Sequence, residues 1–410
     1  MMSTPEMARQ IYIKGVDTMA VTMKTVETAL KTVYKGPIVD QINTEADPFV
    51  EKIHKDTSRV NVNNEIVRAA EVGLNGGFGA GTETGELPAP GENIYKNLKS
   101  TTKNLFGTLQ ISDKMIRGSK SGTDKNKFVD VLQREIDKLV KTAKWHYARQ
   151  VSGSHMGILT TCKAGNSSNT FGVADRRLLM EGITIDILNS DGSEVAAKRR
   201  ILNIDRSTDQ ITITGTPVTV TSDMIVTVQG SYGLELTGLG DLFDIKAATL
   251  YGNERETNSW LNPRVVENAG AISDVLMHDI ISEQEDDFNV NLNYIRAGSD
   301  AYKSYIKYFE DRKRLVNTTE IKGGVSALSF DGRAIMRDKF MVPDSIYFLD
   351  PDKFYLDQVD EWDWLTNESG NILIKIGRTP VYEASLAKYA DLLCVVPGGM
   401  ACLKGVTDPV

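Results

Sequence analysis

Residues 73–91 read GLNGGFGAGTETGELPAPG, and a long helical pattern follows them; these two features determine the predicted architecture. The seven glycines and two prolines cannot bury a core of their own, and such a backbone tolerates almost any dihedral angle. Strand-like flanks, Glu65–Val72 and Ser100–Ile111, bound the stretch on either side. Because compact domains rarely keep so long a loop without a use, we predict an extended loop that reaches a neighbouring subunit. The predicted inter-subunit contacts are Gly76, Gly77, Phe78, Gly79, Glu83, Glu86, Leu87 and Pro88.

The segment from Asp124 to Val151 carries the opposite kind of pattern. Apolar residues recur at steps of three and four, with charged residues between them, which predicts one amphipathic helix. At 1.5 Å per residue such a helix is roughly 40 Å long. The predicted packing face consists of Phe128, Leu132, Ile136, Leu139, Val140, Ala143 and Tyr147.

Residues 1–60 read as an N-terminal arm that contains a short helix ended by Gly36-Pro37. Two heptads are too few for a stable free coiled coil, so this helix docks either on its own domain or on a neighbouring subunit. The apolar seam of the arm helix, spaced four, three, four and three, is Met19, Met23, Val26, Leu30 and Val33.

Residues 165–235 change to short alternating runs of Ile, Val and Thr, separated by turn signals. Several strands at this spacing predict a small β-barrel or sandwich, and the glycine-rich approach and exit indicate an inserted domain. The predicted strands are Ile183–Leu188, Ile201–Ile204, Ile211–Thr214, Val218–Thr221 and Met224–Val228.

The remainder of the chain is mixed. Helices are predicted at Ala271–Ser282, with Ile272, Val275, Leu276, Ile280 and Ile281 inward, and at Asp300–Leu315. Strands are predicted at Leu292–Arg296, Ala334–Arg337, Ser345–Leu349, Asn371–Ile376, Leu392–Val396 and Ala401–Leu403.

Composition limits the possible functions. The formal charge of −8 argues against a nucleic-acid-binding protein, although it is compatible with a container for nucleic acid. Three scattered cysteines indicate reduced thiols in the cytoplasm. No apolar run approaches the roughly 20 residues that span a bilayer, and the N-terminus lacks a secretory signal, so we expect a soluble protein with no membrane partner.

Candidate sites for chemistry are weak. Gly77-Phe78-Gly79-Ala80-Gly81 lacks the third glycine of a dinucleotide-binding loop, and Pro88 follows where a helix should begin. The four histidines are far apart, which disfavours a metal site. A Cys162–His155 dyad has no surrounding signature. We therefore predict no catalytic, cofactor-binding or metal-binding residues.

Two further segments each have a structural and a functional interpretation. The acidic run at 283–287 is either the solvated end of a helix or a contact for an ion or a neighbouring subunit. Glu361 and Asp363 alternate with Trp362 and Trp364, which suggests either a glycosidase-like cleft or exposed aromatic residues at a protein interface. The interface is the preferred interpretation of the tryptophans.

The order of arm, extended loop, long helix, mixed region and late strands resembles the major capsid proteins of tailed bacteriophages, which have the Hong Kong 97-like fold. Three sequence passages are similar to passages in that family: VYKGPIVDQ at 33–41, DGRAIM at 331–336 and VPDSIYFLDP at 342–351. The resemblance implies an α+β protein in which residues 165–240 form an added β domain.

The resemblance also implies a domain for each segment. These are an N-terminal arm (1–63), an extended loop over the adjacent subunit (64–111), the spine helix with the first part of the peripheral domain (112–164), the inserted β domain (165–240), an axial domain (241–330), the second part of the peripheral domain (331–385) and C-terminal axial strands (386–410).

Its functional implication is a structural protein of the virion, and no enzyme. Copies of the chain would form hexamers and pentamers of an icosahedral shell that encloses double-stranded DNA without sequence-specific binding. The arm is too short to include the scaffolding segment of some relatives, so a separate scaffolding protein and a portal are expected. No lysine–asparagine cross-link is expected from Lys96 or Lys99. The alternatives are an encapsulin-type compartment shell and another phage structural protein, such as a tail tube or sheath.

Overall fold

The computed structural model describes residues 47–73, 77–83, 85–86, 89, 91–114, 125–311, 318–321 and 325–409. The predicted arm helix, with its seam from Met19 to Val33, lies outside these residues. Within the described ranges, no helix combines the length and the apolar character that a membrane span requires. The chain divides into two compact units: Met1–Pro48, Leu105–His146 and Asp360–Lys388 form one, and Phe49–Asn104, Tyr147–Val359 and Tyr389–Val410 form the other.

The helices described are α1 (Pro48–Lys52), α2 (Lys125–Ser152), α3 (Leu239–Leu242), α4 (Asp274–Phe288) and α5 (Ser299–Asp311), with 3₁₀ turns at Ser259–Leu261, Pro351–Lys353 and Pro397–Gly399. The strands before α3 are β1 (His54–Asp56), β2 (Glu65–Gly73), β3 (Ile94–Thr101), β4 (Lys103–Ser112), β5 (Ile158–Thr161), β6 (Gly165–Ser168), β7 (Thr170–Gly172), β8 (Thr184–Leu188), β9 (Glu194–Asp205), β10 (Gln210–Ile213), β11 (Val218–Val220) and β12 (Ile225–Val228). The strands after it are β13 (Thr249–Leu250), β14 (Asn253–Glu254), β15 (Arg264–Val266), β16 (Gly270–Ala271), β17 (Tyr294–Ala297), β18 (Thr318–Ile321), β19 (Val325–Phe330), β20 (Arg333–Arg337), β21 (Ile346–Leu349), β22 (Phe354–Gln358), β23 (Asp363–Trp364), β24 (Ile374–Lys375), β25 (Val381–Cys394), β26 (Ala401–Leu403) and β27 (Val406–Thr407).

The first unit combines most of α2 with strands β4, β23, β24 and the first part of β25. Strand β4 alternates, with Leu105, Leu109 and Ile111 buried, as expected for a strand with one covered face. A Cβ atom on Gly107 would lie 3.1 Å from Leu139 Cδ1, so the strand and the helix approach closely at this glycine. Strands β23 and β24 pair antiparallel with β25.

The second unit contains a seven-stranded sheet in the order β15-β26-β21-β17-β20-β19-β18. Strands β17 and β21 lie inside it and are buried along their whole length, which is typical of strands that are covered on both faces. Strand β17 pairs parallel with β20 and antiparallel with β21.

This sheet joins segments that the resemblance assigns to different domains. The resemblance implies that residues 331–385 are one block of the peripheral domain, but strands β20 and β21 are hydrogen-bonded to β17, within the segment expected to be axial. Within the block 331–385, residues 360–385 share a unit with the first 22 residues of α2, and residues 331–359 belong to the other unit. Strand β21, Ile346–Leu349, is buried at all four positions, so it needs a hydrogen-bonded strand on each edge and packed residues on both faces. This explains why it lies inside the seven-stranded sheet.

The predicted β segment is confirmed as strands. Strands β5, β12, β8, β9, β10 and β7 form a six-stranded sheet in that order, and β11 pairs with β6. Both sets contribute to one buried apolar cluster that includes Ile187, Ile211 and Val220. The region lies inside the second unit and does not separate as a unit of its own, so its status as an inserted domain stays a prediction.

Several predicted boundaries and orientations were wrong. Helix α4 begins at Asp274, because the Ser273 hydroxyl accepts a hydrogen bond from Leu276 N and caps the helix, and it continues through the acidic run to Asn289, which adopts a left-handed conformation. Its register leaves Val275 68 % exposed and buries Met277 instead. Helix α5 is described at Ser299–Asp311, and the rest of the predicted helix, up to Leu315, lies outside the described residues. The predicted strand 371–376 is reduced to β24, and 392–396 is mostly the end of the 14-residue strand β25.

The tryptophans of 361–364 are buried and do not form an exposed interface. Trp362 and Trp364 are 3 % and 5 % exposed. Glu361 pairs with Lys388 at 2.9 Å, and the Lys388 ammonium lies 6.0 Å from the Trp362 ring centroid. Lys388 itself is buried on β25, so these residues form a packed cluster of the first unit.

Candidate assembly surface: the extended hairpin and its anchors

The predicted loop is a β-hairpin with a long tip. Strand β2 pairs antiparallel with β3 over eight residue pairs, from Glu65↔Thr101 to Gly73↔Ile94. The predicted returning strand Ser100–Ile111 is therefore two strands, β3 and β4, and the chain is already a strand at Ile94. Residues 74–93, which include most of the glycine-rich stretch, connect the two hairpin strands.

The outer part of this hairpin exposes large apolar side chains. Phe78 is 97 % exposed, and Ile94 and Tyr95 are each more than half exposed. Two strands without a packed face are marginal in water, and exposed apolar groups on such an element mark a surface that a partner covers. The tip of the hairpin is thus the strongest candidate for a contact with another subunit.

The predicted contact residues fall in two groups. Phe78, Gly79, Glu83 and Glu86 are exposed on the connection, and Gly77 is partly exposed. Gly76, Leu87 and Pro88 lie outside the described residues. The connection includes one hydrogen-bonded turn, in which Gly85 N donates to Thr82 O at 3.1 Å.

The base of the hairpin is held by a buried guanidinium. Arg68 on β2 donates from Nε to Asp357 Oδ2 at 2.7 Å, and from Nη2 to Asp357 Oδ1 at 2.5 Å and Asp56 Oδ2 at 2.8 Å. Its guanidinium carbon lies 3.8 Å from the centroid of the Tyr355 ring. Burial opposes the charge on Arg68, but the hydrogen bonds and negative charges of Asp357 and Asp56 outweigh it and raise the pKa of Arg68. This two-point pair joins the hairpin to strands β1 and β22.

A second anchor lies on the other hairpin strand. The Asp391 carboxylate on β25 is fully buried and accepts hydrogen bonds from Ser100 Oγ on β3, from Thr237 N at 2.8 Å and from Thr237 Oγ1 at 3.0 Å. Burial raises the pKa of Asp391 above its usual range, against these hydrogen bonds. Nearby, Lys99 N donates to Tyr251 O at 2.9 Å. Both strands of the hairpin are therefore fixed at the base while the tip extends.

The C-terminal end of α2 meets the segment 235–241 in a tight polar junction, which we call the helix-end junction. Arg149 and Glu235 form a buried ion pair. A Cβ atom on Gly238 would fall within 3.0 Å of the backbone oxygens of Gln150 and Gly153, so only glycine fits there without a shift. Gly240 N donates to Gly153 O at 2.8 Å and satisfies a carbonyl beyond the last helical turn.

His155 belongs to the same junction. Its Nδ1 lies 2.6 Å from Asp241 Oδ1, and its backbone N donates to Asp241 Oδ2 at 2.7 Å. The hydrogen bond to Asp241 raises the pKa of His155, against partial burial.

The predicted packing face of α2 is partly described. Ile136, Val140 and Tyr147 are buried, and Leu139 and Ala143 are partly buried. Phe128 and Leu132 lie within α2, and their side chains are outside the description.

The thiol chemistry considered from the sequence would need a reactive cysteine near a histidine. Cys162, Cys394 and Cys402 are buried and free of disulfides, and burial raises the pKa of the Cys162 thiol to about 12, which disfavours a nucleophilic thiolate. The side-chain partner of His155 in the structure is Asp241. Among the described residues, no group of three or more His, Cys, Asp or Glu is arranged to hold a metal ion.

Sequence reasoning missed the anchors, because Arg68 and Asp357 are 289 positions apart. The only local signal was a charged residue at an inward position of an alternating strand: Ile66 and Ala70, on either side of Arg68 along the same face, are buried. A buried cation requires an anionic or hydrogen-bonding partner, but the sequence pattern does not identify that partner.

Comparison with known proteins gives similarity at the level of structure. No protein-family model and no curated protein sequence matches the chain. A chain of the cyanophage A-1(L) capsid asymmetric unit is 12 % identical, with a TM-score of 0.50, covering 87 % of this chain and 90 % of that one. Weaker similarities include a chain of the satellite phage P4 procapsid (10 % identical, TM-score 0.44, 91 % and 98 % covered) and the SrpI encapsulin of Synechococcus elongatus PCC 7942 (10 %, 0.42, 99 % and 96 %). The chain thus has a mixed α and β fold that it shares with a phage capsid protein.

Proposed function

We propose that this chain is a capsid protein that assembles with copies of itself into the shell of a tailed phage, as hexamers and pentamers of an icosahedral head around double-stranded DNA. The observation that carries the proposal is the extended hairpin, which is anchored by buried charges at its base and exposes Phe78 at its tip. The fold similarity to a phage capsid chain supports it.

The physical basis of assembly would be the burial of this surface on a neighbouring copy. Each Å² of apolar surface removed from water contributes about 25 cal/mol, so a single hairpin tip supplies only part of a stable interface. A closed shell repeats the contact at every subunit, and many weak contacts then act together. No covalent bond needs to be made or broken.

The domain roles and partners are part of the same proposal. The hairpin would lie over an adjacent subunit, α2 would be the spine helix, and the seven-stranded sheet would belong to the axial domain. A separate scaffolding protein and a portal would take part in assembly, which would occur in the cytoplasm of the bacterial host. The β region 165–240 would be an added domain of the shell.

A deletion of Gly76–Gly91 tests the role of the hairpin. Strands β2 and β3 would remain, and residues 74, 75, 92 and 93 would close them with a four-residue loop, a length that hairpins accept. We expect a folded subunit, with the circular dichroism spectrum of the wild type, that forms no closed shells in electron micrographs. The double substitution Phe78→Ser/Tyr95→Ser should also reduce the formation of closed shells.

Phe106→Ser is the matched control, because Phe106 is an exposed aromatic residue on β4, outside the hairpin. It should assemble as the wild type does. Normal shells from the deletion variant would contradict the proposed role of the hairpin.

A further inference from the structure

The exposed face of helix α2 carries a stripe of cations. Arg134, Lys138 and Lys141 follow one another at steps of four and three, which places them on one face of the helix. All three are exposed, and the Lys138 side chain is 72 % exposed. Ile136 and Val140 lie on the opposite, buried face. We call Arg134, Lys138 and Lys141 the cationic stripe.

The charge of α2 is opposite to that of the chain. The helix contains seven lysines and arginines against three aspartates and glutamates, whereas the whole chain has a formal charge of −8. Positive charge is therefore concentrated on one element of an acidic protein. An exposed cationic face of this kind attracts polyanions even when the net charge of the protein is negative.

Internal pairing does not cancel the stripe. Lys138 Nζ lies 2.9 Å from Glu135 Oε1, in an exposed pair three residues apart. Exposed pairs of this type contribute little, so the Lys138 ammonium can exchange its partner at low cost. Asp137 is also exposed on the helix, so two carboxylates, Glu135 and Asp137, lie among the three cations and the stretch from Arg134 to Lys141 keeps a net positive charge.

The spacing of the stripe matches a nucleic-acid backbone. Arg134 and Lys141 are seven residues apart, which corresponds to roughly 10 Å along the helix axis. Double-stranded DNA carries one negative charge per about 1.7 Å of its axis, so a duplex that lies along α2 presents several phosphates to the three cations. Trp145 continues the stripe four residues beyond Lys141 and is partly buried.

We infer that the cationic stripe of α2 is the surface through which the chain contacts the backbone of double-stranded DNA. The inference rests on the proposed function, since it identifies the part of the shell subunit that faces the enclosed DNA. Phosphate contacts carry no sequence information, so this surface binds any duplex. Three contacts per subunit are weak and are screened by salt, which allows the DNA to be released.

The test uses the full-length chain and a fluorescein-labelled 30-base-pair duplex of arbitrary sequence. Fluorescence anisotropy gives the apparent affinity at several salt concentrations for the wild type and for Arg134→Gln/Lys138→Gln/Lys141→Gln. Glutamine keeps a helix propensity close to that of lysine and arginine, so α2 should remain intact, which circular dichroism verifies. Lys163→Gln/Arg206→Gln/Lys246→Gln removes the same charge from exposed positions elsewhere and is the matched control.

We expect the wild type and the control to bind at low salt with similar affinity. The stripe variant should bind about tenfold more weakly or worse, and the slope of log K against log salt should decrease by about one for each cation that is replaced. The single variant Lys141→Gln should lower the slope by about one. Equal affinities and slopes for the stripe variant and the wild type would overturn the inference, as would an equally weakened control or a wild type that does not bind at low salt.

Electron microscopy of the same preparations separates this inference from the proposed function. If the stripe variant forms shells but binds DNA more weakly, the result supports both the proposed function and the inference. Shells together with unchanged DNA binding overturn only the inference, because assembly does not use the stripe. DNA binding that depends on the stripe in a wild type that never assembles would support the contact and contradict the shell.

Discussion

At the scale of single residues, the hairpin depends on buried charges that are paired. Arg68 is almost fully buried, and the side chain of Asp357 is completely so. A buried charge is costly to leave alone, but two guanidinium hydrogen bonds to one carboxylate offset much of that cost. The pair thus fixes where the hairpin leaves the second unit, and its geometry is more important than its net contribution to stability.

Arg68→Ala should destabilise the folded chain by about 3 kcal/mol or more, because it leaves the Asp357 carboxylate buried and unpaired. Arg59→Ala is the control, since Arg59 is 56 % exposed and lies 3.9 Å from the Asp56 carboxylate. It should change the free energy of unfolding by less than about 0.5 kcal/mol. Urea unfolding of both variants measures the difference, and an Arg68→Ala variant as stable as the control would show that the pair is not a structural anchor.

The His155–Asp241 pair predicts a dependence of stability on pH. The folded state raises the pKa of His155 above its ordinary value of 6.5, so the folded chain holds the proton more tightly than the unfolded chain. The stabilisation is therefore complete below about pH 6.5 and is lost as the pH rises through the higher pKa of the folded state. His155→Asn cannot titrate and should lack this contribution.

The difference in melting temperature between the wild type and His155→Asn should be largest near about pH 6 and should decrease by about pH 9. Thermal unfolding at both pH values measures it. Asp241→Asn keeps the imidazole but removes the carboxylate, so it should abolish most of the same dependence. A difference that is constant over this range of pH would exclude a proton-linked role for His155.

At the scale of elements, the helix-end junction positions the last turn of α2. Gly238 has an ordinary φ of −92°, so glycine is required there by the space available and not by backbone strain. The carbonyl groups of Gln150, in the last helical turn, and of Gly153, just beyond it, approach the backbone of 238–240 closely, which a side chain at position 238 would prevent. This close approach lets the two backbone segments form hydrogen bonds with each other and not with water.

Gly238→Ala should therefore destabilise the chain by about 1–3 kcal/mol, because its methyl group meets backbone oxygens that cannot move independently. Gly81→Ala is the control: its nearest neighbour would be Glu86 O at 3.9 Å. Gly81→Ala should leave the free energy of unfolding almost unchanged. Chemical unfolding of both variants measures the two effects, and equal stabilities would show that the junction adapts to the added atom.

The elements also indicate how far the sequence predicts this structure. The C-terminal end of helix α2 agrees with the prediction to within one residue, because a long amphipathic pattern is a local signal. Strand β3 is not predicted at Ile94–Lys99, because its first four residues are all exposed and give no alternation, and pairing with β2 determines the strand. In α4 the predicted burial of Ile280 and Ile281 is confirmed, whereas Val275, in the first turn after the cap Ser273, is exposed.

The sequence predicts where the candidate site lies, but it does not predict which residues anchor it. Glycines and prolines identify an extended loop, since they exclude a packed core. The anchors at Arg68 and Asp391 join residues that are hundreds of positions apart, and no local pattern contains them. The burial of Trp362 and Trp364 has a related origin, because it depends on pairing with strand β25, which the local alternation does not reveal.

At the scale of the whole molecule, the chain exposes the tip of a hairpin that another copy would cover in the proposed shell. The fold is that of a phage capsid chain, and the base of the hairpin is anchored while its tip offers apolar groups. These properties predict a protein whose stable form is an assembly, with the contact repeated around closed symmetry axes. A subunit that remained monomeric would leave that surface without a function.

Electron microscopy of the purified full-length protein, alone and with a scaffolding protein encoded by a neighbouring gene, shows whether the stable form is an assembly. We predict closed polyhedral shells, or rings of five and six subunits that precede them. Tubes of one fixed diameter would instead indicate a tail protein. A monodisperse monomer at every protein and salt concentration, with and without the scaffold, would contradict the proposed shell.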